Sequence, residues 1–267
     1  QGTPDEVVST AGTVNGFTRQ DFGADLGGFL IRDRLWFFGA YDRVSNTVNT
    51  VLPAGPAAGD IVDSTSDRDL AAAKLTFNIT SGQSLVGTFF QDPRDDAGAI
   101  NDNDHKLNGE PLTYLGQQSF GGRDYALRYD GLLGASWIVS AQVSRHEEEN
   151  SANDSFQTGG FGLIQEKTFQ RASWGGSISK YLDRHDLKFG LEFETEKADV
   201  LKRMSGGQRV DILENPNGGP AIYSHFYWTT PLATLDDAPT SALVAPVRHD
   251  NTVAYLQDRW QISAAFG

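Results

Sequence analysis

The chain is 267 residues long, has no cysteine, and carries 22 Lys plus Arg against 35 Asp plus Glu, for a formal charge of -13. Without cysteine there is no disulfide framework, thiolate metal site or cysteine nucleophile, and the negative charge repels phosphate backbones and argues against nucleic acid as a partner. Gly at 29 residues and aromatics at 11% suit twisted strands and aromatic girdles, whereas no apolar run reaches the roughly twenty residues that a membrane-crossing helix needs.

Gln1 to Glu6 has neither a basic start nor an apolar stretch, so no signal peptide is read there. Residues 1–20 are read as a lead-in, the end of a preceding strand or loop, and 21–267 as a partial barrel. From there the chain reads as hairpins in series. Phe22 to Ile31 meets Leu35 to Val44 across Arg32-Asp33-Arg34, and Ala71 to Thr80 meets Ser84 to Gln91 across Ser81-Gly82-Gln83. Tyr125 to Asp130 meets Ala135 to Arg145 across Gly131 to Gly134, and Trp174 to Leu182 meets Leu187 to Lys197 across Asp183 to Asp186. Val253 to Ile262 is a last strand.

Polarity alternates residue by residue within these runs, as a strand with one face in lipid and one in a wet lumen requires. Leu187, Phe189, Leu191 and Phe193 oppose Lys188, Gly190, Glu192 and Glu194; Trp137, Val139, Ala141 and Val143 oppose Ser140 and Gln142. Two charges interrupt the apolar rows: Lys180 beyond Trp174 and Ile178, and Asp258 beside Leu256 and Trp260. Trp36, Phe37, Phe38, Tyr41, Trp137, Tyr181 and Trp260 fall toward strand ends, where membrane interfaces favour amphipathic rings.

Between hairpins lie four long polar stretches: Ser45 to Asp67, Asp92 to Gly121, His146 to Lys167 and Lys202 to Asp250. Unstructured connections above about 12–15 residues are uncommon in compact domains, but barrels alternate short periplasmic turns with long outer loops. The fold predicted is all-β: an antiparallel transmembrane β-barrel segment, about nine strands of a larger barrel, with long extracellular loops. Nine is odd and cannot close as a standard bacterial barrel, so both ends read as cut.

Asp21 to Tyr41, with its Gly27-Gly28 pair, Arg32-Asp33-Arg34 turn and Leu35-Trp36-Phe37-Phe38-Gly39 run, resembles an early barrel hairpin of Oar-like TonB-dependent receptors. Ala73 to Phe90 and Ala254 to Ile262, with its Gln257-Asp258-Arg259-Trp260, look similar to later strands of that family. The resemblance implies a barrel of about 22 strands with an internal plug, periplasmic contact with TonB and often an N-terminal carboxypeptidase-regulatory-like domain. It implies a bacterial outer-membrane receptor and transporter, with outer loops capturing an unidentified extracellular ligand and TonB energising uptake. Lipid of the outer membrane and the TonB complex are the partners expected, TonB through parts of the protein outside this chain.

Candidate sites follow from residue chemistry. Asp102 and Asp104, in the acidic run Asp92 to Asp104, offer hard oxygens for Ca2+, the one cofactor considered, against a merely solvated loop. Tyr223, Phe226, Tyr227 and Trp228 could stack on a ligand at a barrel mouth, against a strand extension above the membrane. Arg128, Lys188, Glu192 and Glu194 fall on predicted lumen faces, where they line a solute path, grip a plug or simply wet the wall. The five histidines show no paired metal spacing, and neither a Gly-x-Ser-x-Gly elbow nor a phosphate loop occurs, so the protein reads as a non-enzyme. The competing reading is a secreted soluble β-sandwich that binds glycans.

Overall fold

The computed structural model describes residues 8–9, 12–51, 59–99, 116–153, 163–204, 209–213, 219–220, 222–226 and 242–262, and among these there is no helix. The strands are β1 (Val8–Ser9), β2 (Gly12–Ile31), β3 (Leu35–Val51), β4 (Ile61–Thr80), β5 (Gln83–Gln91), β6 (Arg94–Ala99), β7 (Gly116–Phe120), β8 (Gly122–Leu133), β9 (Trp137–Asn153), β10 (Leu163–Leu182), β11 (His185–Met204), β12 (Arg209–Leu213), β13 (Ile222–Phe226) and β14 (Ala242–Trp260). Twelve of them form one antiparallel sheet, with β12 and β13 paired apart from it.

Neighbours in sequence are neighbours in the sheet, and the path β1-β2-β3-β4-β5-β8-β9-β10-β11-β14 ends on two strands that do not pair with each other. β6 continues β5 along β4, and β7 continues into β8 along β9, both without register change: Ala71 pairs with Gln91 and Arg68 with Arg94, while Gly122 pairs with Glu148 and Ser119 with Ser151. With these pairs joined and β1 set aside, nine long strands remain among the described residues.

Both interruptions have one cause. Pro93 has no N–H to give to a ladder, and the chain beside it closes up: Gly122 N donates to Asp92 Oδ1 at 2.9 Å, Asp69 N donates to Pro93 O at 3.0 Å and Glu149 N to Gly121 O at 3.0 Å. Gly121 sits at φ 120°, and a Cβ there would lie 2.5 Å from Asp92 O and 2.7 Å from Pro93 Cα. Only glycine fits at both counts.

The sheet is one layer thick. Every substantial contact between elements runs between ladder neighbours, and Val62 is the only buried hydrophobic among the described residues. A sandwich stacks a second sheet about 10 Å away and buries the facing side chains. No such second layer is present among the described residues, so their sheet is not built as a sandwich.

Register carries one apolar face across all nine strands. Leu26 pairs with Gly39, Phe37 with Leu75, Phe77 with Leu85, and Phe89 with Tyr125. Leu127 pairs with Val143, Val143 with Trp174, Trp174 with Phe193, and Phe189 with Leu256. Trp174 stacks on Phe193 at 4.1 Å between centroids. The other face carries Lys74, Thr76, Arg128, Ser140, Gln142, Ser173, Ser177, Lys188 and Glu192. Above the apolar band its own face turns charged in rows, Arg43 beside Asp69 and, across the other half, Arg123-Glu147-Gln170-Lys197-Arg248. The period of two splits the aromatic run: Phe37 and Tyr41 join the apolar face, while Trp36 and Phe38 fall opposite with Thr76 and Lys74. Those two rings, and Tyr181 opposite Asp186, therefore do not enter the apolar face as expected.

The turns at one edge are short. Arg32-Asp33-Arg34 is closed by Arg34 N donating to Ile31 O at 3.0 Å with Asp33 at φ 60°, and Asp183-Arg184 joins β10 to β11 with Asp183 at φ 45°. The β8–β9 turn is Gly134-Ala135-Ser136, later than the Gly131 to Gly134 expected, because Gly134 at φ 64° makes the reversal and Gly131 pairs in the ladder with Val139. Strands also continue far into the stretches expected as loops: β3 runs to Val51 and β4 starts at Ile61, and β9, β10, β11 and β14 extend likewise. Alternation vanishes there because both faces are polar, yet backbone pairing needs no apolar face.

Candidate functional site

On the polar face, five rows of the ladder meet in a concavity of about 420 Å³. Its floor is small because the sequence is: Gly175 lacks a side chain, and Ser140, Ser173 and Ser177 are short. Ser144 and Ser173 share a hydroxyl hydrogen bond of 2.6 Å across β9 and β10. Longer side chains rise around this floor.

All four predicted lumen charges line this concavity. Arg128 from β8, and Lys188, Glu192 and Glu194 from β11, converge with Arg171 and Tyr255. Register explains it: Arg128, Gln142, Gly175, Glu192 and Val253 follow one another across five strands, in a single row. Arg128 donates to both Asp130 oxygens, at 2.7 and 3.0 Å, and Ser140 donates to Asp130 at 2.7 Å. Arg171 Nε donates to Glu194 at 2.6 Å. Lys188 lies 5.6 Å from the centroid of the Tyr255 ring. Neither Lys188 nor Glu192 makes an ion pair among the described residues. Two opposed, unpaired charges around a hydroxyl floor give a wall able to hold a polar solute or a polar polypeptide segment.

Arg171, Asp130, Ser140 and Tyr255 were not singled out in the sequence. Arg171 shares parity with Ser173 and Ser177 and was findable by that signal; Asp130 and Tyr255 needed the neighbouring strand. The Tyr255 ring lies over its ladder partner Gly190, where an added Cβ would collide with Tyr255 Cζ and Oη. Gly190→Ala is therefore expected to cost about 1–3 kcal/mol of unfolding free energy by overpacking. In a Tyr255→Ala background most of that cost disappears, a coupling read by a double-mutant cycle in urea.

Of the other predicted residues, Tyr223 and Phe226 are not among those that line it. Tyr223 is exposed on β13, paired with Ile212 of β12, and Phe226 ends the same strand opposite Arg209. Tyr227, Trp228, Asp102 and Asp104 lie outside the described residues, among which no three acidic or histidine side chains are grouped to hold a metal.

A single antiparallel layer with an apolar face, a wet face, short turns at one edge and extended strands at the other is the wall of a transmembrane β-barrel. One solved structure shares the fold at a TM-score above one half. The chain is similar to the crystal structure of the outer membrane transporter YddB from Escherichia coli, with a TM-score of 0.55 and 11% identity over 91% of this chain and 32% of that one. The ferric yersiniabactin uptake receptor FyuA from Yersinia pestis is matched at a TM-score of 0.44 and 10% identity, over 94% of this chain and 36% of that one. The chain thus spans about a third of either protein. No protein-family model and no curated protein sequence matches it.

Proposed function

We propose that the chain is part of the barrel of an outer-membrane TonB-dependent receptor of the Oar-like kind. Its outer loops capture an extracellular ligand, and energy delivered through TonB drives uptake past the polar wall. The observation that carries this reading is the continuous apolar face over nine strands backed by a charged concavity: water would not leave the first exposed, and lipid would not admit the second. The Oar-like assignment rests on the Asp21 to Tyr41 hairpin, whose Arg-Asp-Arg turn and Leu-Trp-Phe-Phe-Gly strand lie at one edge of this sheet.

The test is heat-modifiability of the full-length polypeptide that carries this chain. Extracted from outer membranes and run unboiled, it is expected to migrate differently from the boiled sample, and its uptake of ligand to stop when TonB is deleted. Soluble protein with no shift would refute the barrel; a shift with uptake independent of TonB would leave a barrel of another transport class.

A further inference from the structure

The two charges that interrupt the apolar face in the sequence are brought to one level by the ladder. Lys180 pairs with Trp137 on β9 and with Leu187 on β11, and Leu187 pairs in turn with Asp258 on β14. Trp137, Lys180, Leu187 and Asp258 therefore form a single row on the apolar face, close to the short turns. Lys180 and Asp258 stand two ladder steps apart, about 10 Å between backbones.

Each charge is set among groups suited to a membrane interface. The Lys180 ammonium lies 4.4 Å from the centroid of the Trp137 ring and donates to Ser136 Oγ at 2.7 Å, and among the described residues it has no carboxylate partner. Asp258 meets His185 Nδ1 at 2.9 Å, and the His185 ring stacks on Trp260 at 5.6 Å and 11°. Trp260 is well exposed, as is Leu256 above it. Snorkelling alone would carry Lys180 toward water, but it does not account for an acid held at the same depth.

We propose that this row binds the headgroup of a zwitterionic glycerophospholipid bearing a primary amine. The phosphate is taken by the Lys180 ammonium and the Ser136 hydroxyl, the amine by the Asp258 carboxylate, and Trp137 and Trp260 flank the glycerol region. The proposal rests on the membrane reading above. Cation and anion on the protein match anion and cation on the lipid, which a phosphatidylglycerol headgroup satisfies only in part and a trimethylated choline cannot satisfy by hydrogen bonding.

The experiment is native mass spectrometry of the detergent-purified full-length protein titrated with phosphatidylethanolamine, phosphatidylglycerol and phosphatidylcholine. Phosphatidylethanolamine is expected to bind about tenfold more tightly than the other two, the size of one charge-assisted hydrogen bond. Lys180→Met lowers that binding to the phosphatidylcholine level, and Asp258→Asn abolishes the preference over phosphatidylglycerol. Equal binding of the three lipids, a preference for phosphatidylglycerol, or phosphatidylethanolamine binding unmoved in either variant overturns the proposal. The same preparations are run boiled and unboiled: no shift overturns the barrel reading and this one with it, whereas a shifted protein with undifferentiated lipid binding overturns this one alone.

Discussion

Leu256→Arg is expected to lower the stability of the assembled barrel by about 1–3 kcal/mol, the cost of a basic side chain on the lipid face between the interface and the bilayer midplane. Leu256 is 77% exposed, and it pairs with Phe189 within the apolar band, one row in from Asp258. In water, replacing so exposed a side chain would change stability by no more than about 0.5 kcal/mol, so the two environments predict different numbers for one substitution. Gln257→Arg, one residue on, points to the polar face beside Lys188 and is expected to stay within that smaller range. Urea unfolding in lipid vesicles, followed by the mobility shift, measures both variants. Equal, small effects at the two positions would mean that the apolar face is not in lipid.

Gly121→Ala is expected to cost about 2–5 kcal/mol, combining backbone strain of about 1–3 kcal/mol at a positive φ with overpacking of similar size. The new Cβ would press on Asp92 O and Pro93 Cα, neither of which is a flexible side-chain end. Pro93 is what brings the neighbouring strand so close, and the hydrogen bonds at Asp69, Glu149 and Gly122 hold it there. Relief would have to open the ladder on both sides. The expected readout is a lower urea midpoint with unchanged slope, since the same surface is exposed on unfolding. Gly39, with nothing within 4 Å of an added Cβ, is the control: its change to Ala should cost well under 1 kcal/mol, because no steric term arises there.

The antiparallel order and, Trp36, Phe38 and Tyr181 apart, the assignment of residues to faces were legible in the sequence, because alternation has a period of two and each hairpin turn is short. Leu187 to Phe193 shows this most plainly: four apolar residues against Lys188, Gly190, Glu192 and Glu194 could only be a strand between two unlike media. The polar-face charges were readable by the same signal, since parity alone places Arg128, Lys188, Glu192 and Glu194 on that side. Strand length was not legible. Past Val44, Arg145 and Lys197 the alternation is lost among mostly polar residues, so the far ends of β3, β9 and β11 did not read as strands, although backbone pairing carries them on.

What remained for the tertiary structure was everything that depends on register between strands. A sequence shows that Glu192 lies on the polar face; only the ladder sets it in line with Gly175 and Arg128, and lays the Tyr255 ring over Gly190. Lys180 and Asp258 looked like two separate flaws in two apolar rows, 78 positions apart in the chain. The pairing of β10, β11 and β14 puts them in one row. The sequence by itself determined which side of the wall each residue faces, because that is a local property of an extended backbone. Which residues stand beside one another was decided only by the structure, because register is fixed cooperatively by turns, glycine gaps and cross-strand packing that no single strand contains.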